Sequence, residues 1–397
     1  MTPETIARLR DETPGCRSVI HLNNAGAGLM PRAVLDTVQA HLSLEAEVGG
    51  YEAEDRVGSE LAGCYEALGR LVGTSARNIA VVENATVAYA QALSSLPFAA
   101  GDAIVTTTND YISNQIMFLS LAKRLGVRIL RAEDDEHGCV DPESVAELVR
   151  RERPRLVAVT HMPTNSGLIQ PVEEVGRVCR DTDAWYLVDA CQTVGQLPLD
   201  LDRVGCDFLS ATARKFLRGP RGVGFLAVSN AVLEQQLTPL FPDMRGARWT
   251  EPDRFVVEPT ARRFENWEFA HGLTRGMGQA AELALELGLE PIAARVRALA
   301  AKLRDSLDNA GLRVLDQGRD KGGIVTVQIP FADGGEALHQ ALLGRRINSS
   351  LTRREFAQLD FARKQVDWAL RLSPHYYNTD AELQEAVEAI EELTRHG

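Results

Sequence analysis

A chain of 397 residues is too long for one ordinary core, and with 45% hydrophobic and 25% charged residues it has the balance of a folded protein, not a disordered one. Its 43 basic and 55 acidic side chains leave a net charge of −12 with no Lys/Arg block, which argues against nucleic acid as a partner. No stretch approaches the roughly 18 apolar residues of a membrane span, the first fifteen residues lack the apolar run of a secretory signal, and the cysteines form no C-x-x-C pair. A cytoplasmic protein with reduced thiols, no metal site and no membrane partner is expected.

From residue 78 short apolar runs alternate with helical periods: a strand over 78–83, a helix over 86–96, a strand over 103–107 and a helix over 112–125. Further runs at 128–131, 156–161 and 185–189 are again separated by helical stretches, one of them opened by Asp141-Pro142, a cap followed by an N1 proline. This βαβα order predicts parallel strands joined by crossover helices, hence a doubly wound α/β sheet, with 208–212 and 223–228 as additional strands. A long helical pattern over 276–312 then leads into a strand at 324–329, a helix at 336–343 and a strand at 368–373. A final helix follows Thr379-Asp380-Ala381-Glu382, the spelling of a capping box. The expected division is an N-terminal segment over 1–20 packing with the small domain, a large domain over 21–275, and a smaller α+β domain over 276–397.

Chemistry at the Cα of an amino acid needs an electron sink, and pyridoxal 5′-phosphate (PLP) supplies one if the protein offers a lysine, a carboxylate for the ring nitrogen and donors for the phosphate. The chain has five lysines. Lys123, Lys302, Lys321 and Lys364 stand on charged helical or loop stretches, and Lys215 alone follows a buried strand and precedes a Gly-Pro turn. Asp189 closes the run Trp185-Tyr186-Leu187-Val188, and a carboxylate at the end of a parallel strand points into the crevice where open α/β sheets bind ligands. Between the strand at 78–83 and the next helix, Asn84-Ala85-Thr86 forms a small polar turn at a helix N-terminus, where an anion is favoured.

Asp189-Ala190-Cys191-Gln192, with the lysine of T-A-R-K-F-L-R-G-P-R-G at 215, resembles the class V aminotransferase family, which includes cysteine desulfurases, selenocysteine lyases, isopenicillin N epimerases and hercynylcysteine sulfoxide lyases. The resemblance runs from the opening N-x-A-G-x-G-x-M-P (Asn23 to Pro31) to the tail R-L-S-P-H-Y-Y-N-T (Arg371 to Thr379). It implies the fold type I architecture of PLP enzymes, as in aspartate aminotransferase, and a homodimer. It also implies a Schiff base on Lys215, Asp189 on the pyridine nitrogen, and Gln192 on the phenolic oxygen O3′. Ala85, Thr86, Thr212 and Arg214 would hold the phosphate, Tyr111 would stack on the ring, Asn165 would approach O3′ or the substrate, and Arg371 would clamp the substrate α-carboxylate. Arg245 and Arg248 are candidates for a second acidic group on the substrate, and His161 reads as a core histidine.

Two features depart from the family pattern. Cysteine desulfurases carry a mobile-loop cysteine shortly before the arginine that matches Arg371, whereas 344–371 has none, and Phe264-Glu265-Asn266-Trp267-Glu268 lacks the Gly and Thr of the family's F-E-x-G-T. The expected activity is that of a PLP-dependent Cβ–S lyase acting on a cysteine S-conjugate or sulfoxide, proceeding through a quinonoid. An aminotransferase or an amino-acid epimerase is the alternative, and a non-catalytic PLP-fold binding protein the remote one.

Overall fold

The structure, a computed structural model, describes residues 1–331 and 334–396. Its centre is a seven-stranded sheet built from β1 (Ile79–Val82), β2 (Ala103–Thr106), β3 (Arg128–Arg131), β4 (Leu156–Thr160), β5 (Trp185–Asp189), β6 (Phe208–Thr212) and β7 (Gly224–Val228), in the order β1-β7-β6-β5-β4-β2-β3. The contacts among β3, β2, β4, β5 and β6 are parallel, while β7 runs antiparallel to both of its neighbours. Helices cover both faces, so the central strands are apolar on both sides. In β4, Leu156 and Ala158 enter one core cluster while Val157 and Val159 enter the other.

The helices that matter for the site are α1 (Arg32–Val48), α2 (Gly50–Leu71), α3 (Ala85–Ser95), α4 (Ile112–Leu125), α5 (Pro142–Glu152), α6 (His271–Leu287) and α7 (Leu289–Asn309). Asp141 caps α5 by accepting from the Glu143 N–H, with Pro142 in its first turn, as its sequence predicts. The single helical pattern over 276–312 proves to be two helices. Gly288, at φ +81°, separates α6 from α7, and its N–H donates to the carbonyls of Ala284 and Leu285. A positive φ in that position is cheap only for glycine, so the apolar period continues across a break in the backbone.

Beyond α7 lies an antiparallel sheet of β10 (Arg313–Val314), β11 (Val325–Gln328), β12 (Ser350–Arg353) and β13 (Trp368–Leu372), in the order β10-β11-β13-β12. It packs with α8 (Glu336–Gly344), α9 (Gln358–Lys364) and α10 (Asp380–His396). The capping box of α10 is formed in both directions: Thr379 N–H donates to Glu382 Oε2 at 2.9 Å and Glu382 N–H to Thr379 Oγ1 at 3.2 Å. The N-terminal helix Pro3–Asp11 reaches this region through Arg10, which donates to the Tyr377 carbonyl and pairs with Glu382. The sequence reading, whose elements begin at residue 78, has no counterpart for α1, α2, β10, β12 or α9, nor for the exposed hairpin of β8 (Ala247–Glu251) and β9 (Arg254–Val257).

Candidate active site

A cavity of about 440 Å³ opens at the carboxyl ends of β4, β5 and β6, where a doubly wound sheet is expected to take its ligand. Eight of the residues given a role from the sequence line it: Ala85, Thr86, Tyr111, Asp189, Gln192, Thr212, Arg214 and Lys215.

Asp189 is the last residue of β5 and is 4% exposed. Its Oδ1 accepts the Cys191 N–H at 3.0 Å and its Oδ2 accepts Asn114 Nδ2 at 3.1 Å. Asn114 also donates to Asp110 Oδ1, and Asp110 is a buried hub bonded to Thr106, Thr160 and Gln115. Burial is the larger influence on Asp110 and raises its pKa against those hydrogen bonds. The carboxylate of Asp189 is thus fixed in direction by a helix residue three positions after Tyr111, a contact the sequence reading did not find.

Lys215 sits three residues past β6, 6% exposed, with its Nζ 5.8 Å from the centre of the Tyr111 ring. No carboxylate pairs with it among the described residues. Burial above all lowers its pKa, with Arg214 and Arg371 adding to that and Cys191 and Asp189 opposing. An amine kept toward its neutral form beside a cavity is ready to attack a carbonyl. The loop that carries it is held from outside. Gly28 N–H donates to the Arg214 carbonyl, and a Cβ at Gly28 would lie 2.6 Å from the Lys215 carbonyl oxygen, so the opening motif needs glycine there. Arg218, buried at φ +63°, donates to Tyr376 Oη and Thr13 Oγ1 at 2.6 Å each and lies over the Tyr377 ring.

At the other end of the cavity, Asn84 caps α3 by accepting the Val87 N–H, which places the start of this helix at the cavity wall with Thr212 and Arg214. Gly224 on β7 backs this turn: a Cβ there would stand 3.2 Å from the Ala85 nitrogen. The helix N-terminus, the Thr212 hydroxyl and a guanidinium form a donor set suited to a phosphate.

Arg371, on β13, is 8% exposed and is not itself part of the cavity lining; it stands behind Thr164, which is. Its Nη1 donates to Thr164 O and Oγ1, its Nη2 to Asn23 Oδ1, and its buried Nε has no partner. Burial first, then the charge of Arg214, pulls its pKa down to about 10. Thr164, absent from the sequence reading, accepts from both Arg371 and Gln192 Nε2, while the buried Oε1 of Gln192 has no partner. Lys215 and Arg214 line the cavity with Asp189 as its one carboxylate, and Arg371 behind the wall is close enough to act on Lys215, so the space favours an anionic ligand.

Three expectations are corrected. Asn165 lies outside the cavity lining, because its amide nitrogen donates to Asp360 Oδ2 at 2.9 Å and to Asn109 Oδ1 at 3.3 Å. Arg248 is exposed on β8 and also lies outside, and Arg245 is committed to Glu265 at 2.7 Å and to the Phe269 ring. Lys364 is not a solvated helix charge: it is 6% exposed and paired with Asp360 at 2.7 Å.

The donor set fits PLP: a buried unpaired lysine, a fixed carboxylate at a strand end, a helix start for the phosphate and an aromatic ring over the lysine. The class V aminotransferase family profile matches residues 20–386. Among the curated relatives, a probable cysteine desulfurase of Methanothermobacter thermautotrophicus is 27% identical, the match spanning 98% of each chain. An isopenicillin N epimerase of Streptomyces clavuligerus is 28% identical over 95% of each. A probable hercynylcysteine sulfoxide lyase of Mycobacterium tuberculosis is 28% identical over 94% of this chain and 89% of its own. In fold, the chain superposes on a cysteine desulfurase from Thermococcus onnurineus with a TM-score of 0.89 at 21% identity, covering 100% and 99% of the two chains. The chain belongs to the class V aminotransferase family of PLP-dependent enzymes.

Proposed function

We propose that the protein is a Cβ–S lyase that releases sulfur from a cysteine S-conjugate or sulfoxide without a persulfide on the enzyme. The observation that carries this is the placement of the cysteines. Only Cys191 lines the cavity, on the stretch between Asp189 and Gln192, and burial first, then the charge of Asp189, holds its pKa well above the ordinary thiol value. A thiol kept protonated is a poor nucleophile, and no cysteine stands in 344–371 to replace it.

When bound, PLP withdraws electrons from the substrate Cα. Asp189 would hold a proton on its ring nitrogen, Ala85, Thr86, Thr212 and Arg214 would take its phosphate, Gln192 would serve O3′, and Tyr111 would lie beside the ring. Arg371 takes the substrate carboxylate by exchanging its bonds to Thr164 and Asn23. Lys215, with its amine free and kept toward the neutral form, would take the Cα proton on Nζ. The electron pair left on Cα expels sulfur from Cβ, sulfur departs with the Cβ–S pair and is protonated, and water completes the release of pyruvate and ammonia. Domains over 21–275 and 276–397, with 1–20 packed on the second, are the units we assign. The six free cysteines fit a reducing cytoplasm, and a homodimer is proposed from the apolar side chains exposed on and around β8 and β9.

The test is a panel of L-amino acids, S-substituted cysteines and cysteine sulfoxides given to the holoenzyme. A lyase yields pyruvate in step with released sulfur, and every single Cys→Ser variant stays within a few fold of wild type. A keto acid retaining its side chain, a D-enantiomer, or loss of sulfur release in one Cys→Ser variant overturns the reading in favour of an aminotransferase, an epimerase or a desulfurase.

A further inference from the structure

A second cavity, of about 450 Å³, lies against the residue that follows β4. Thr160 lines the active-site cavity, and its neighbour His161 lines this one. Two side chains in its wall are buried with atoms left unpartnered. His161 is 7% exposed and its Nδ1 has no hydrogen-bond partner; Gln170 is 1% exposed and its Nε2 has none. The amide of Gln170 is oriented by Val140, whose N–H donates to Oε1 at 2.8 Å, so the orphan is a donor. Burial first, then the charge of Arg297, pulls His161 down to about 4, which leaves a neutral ring with one donor and one lone pair.

Charged groups at the same cavity also lack partners. Arg203 is spent on Glu173 and Arg319 on Asp135, but Arg297 makes no ion pair among the described residues, and neither do Glu290 and Asp320. Unsatisfied buried polar groups are costly, and two of them in the wall of one cavity make it a place where a polar ligand gains hydrogen bonds. Donors at the wall with a free guanidinium suit a carboxylate. The acidic residues outnumber the basic ones around the cavity, so a simple anion would meet net repulsion, whereas an ammonium group on the same molecule would be attracted to Glu290 and Asp320.

We propose that this cavity is a second binding site, for a small zwitterion whose carboxylate meets Arg297, His161 and Gln170 and whose ammonium group meets Glu290 and Asp320, an amino acid being the simplest member of the class. The site stands apart from the chemistry at Lys215 but touches its frame. His161 N–H donates to the carbonyl of Asp189 at 2.9 Å, and the His161 carbonyl accepts the Gln170 N–H at 2.8 Å.

The probe is N,N-dimethylglycine, a zwitterion whose tertiary nitrogen cannot condense with an aldehyde, titrated calorimetrically into the holoenzyme. One saturable site is expected. Arg297→Ala, a change at an exposed residue, should weaken it at least tenfold, and His161→Phe likewise, while Arg371→Ala leaves it unchanged and the cofactor absorbance does not move. Acetate and N,N-dimethylethylamine, each carrying half of the charge pattern, should bind at least tenfold more weakly. Absence of saturable binding, binding insensitive to Arg297→Ala, binding lost with Arg371→Ala, or acetate binding as tightly as the zwitterion would each overturn the proposal.

Discussion

Asp189 shows how a single side chain is made useful by its neighbours. A carboxylate at a strand end would rotate freely, but the Cys191 N–H and the Asn114 amide each occupy one oxygen and fix its plane. An amide at position 189 keeps the shape and loses the charge, so the ring nitrogen would lose its proton. Asp189→Asn is therefore expected to retain cofactor, read by absorbance and phosphate content, while kcat falls by about 10²–10³, the magnitude typical of removing one preorganised electrostatic partner. Wild-type turnover in that variant would remove Asp189 from the role. Lys215 and Asp189 were legible because each is an odd residue at the end of an apolar run. Thr164, Asn114 and the burial of Lys364 were not. Asn114 is a polar residue in an ordinary helix turn until β4 and β5 bring Thr160 and Asp189 beside it, and Lys364 reads as a solvated charge until Asp360 and Asn165 enclose it.

Most strands could be read from the sequence because a sheet covered on both faces demands mainly apolar runs; β4 to β7 are such runs, and all their residues but Trp185 are buried. The break at Gly288 was missed because the apolar period of α6 resumes in α7 almost in phase, although Gly288 followed by Pro291 in the first turn of α7 spells a helix stop and restart. The hairpin of β8 and β9 escaped for a different reason: its residues are exposed, so no buried face imposes a period of two on them. That exposure is itself informative. Trp249 is 80% exposed, Phe255 54%, and Phe241 in the preceding loop 82%, more apolar surface in one place than an isolated chain ordinarily leaves to water. If this surface is the contact with a second copy, light scattering on the wild type gives twice the chain mass and the double variant Trp249→Glu, Phe255→Glu shifts toward the chain mass. A monomeric wild type, or a dimer indifferent to the two charges, would contradict it.

Across the whole molecule, segments near both ends of the chain and the loop that carries Lys215 are tied together: Arg218, just past Lys215, holds Thr13 and Tyr376 at once. Next to that junction, His375 is buried with Nε2 donating to the Phe216 carbonyl and Nδ1 accepting the Tyr376 N–H, so protonation would break a bond, and burial, chiefly, pulls its pKa to about 3. His161 lies at about 4 by the same cause. Both folded values are below that of the unfolded chain, near 6.5, so the unfolded state takes up protons first and stability is lost as pH falls from about 6.5 toward 4. For His161 alone this amounts to about 3 kcal/mol at the lower end. Urea unfolding of wild type and His161→Phe at pH 7 and pH 4 should differ in their pH dependence by that order; identical dependence would show that the ring is protonated in the fold. The central claim, a cofactor held covalently by Lys215, is tested most directly by borohydride reduction of the holoenzyme followed by peptide mapping. One cofactor-modified peptide, bearing Lys215, is expected, present in Lys123→Ala and absent in Lys215→Ala. A modified lysine elsewhere, or an adduct that survives in Lys215→Ala, would contradict it.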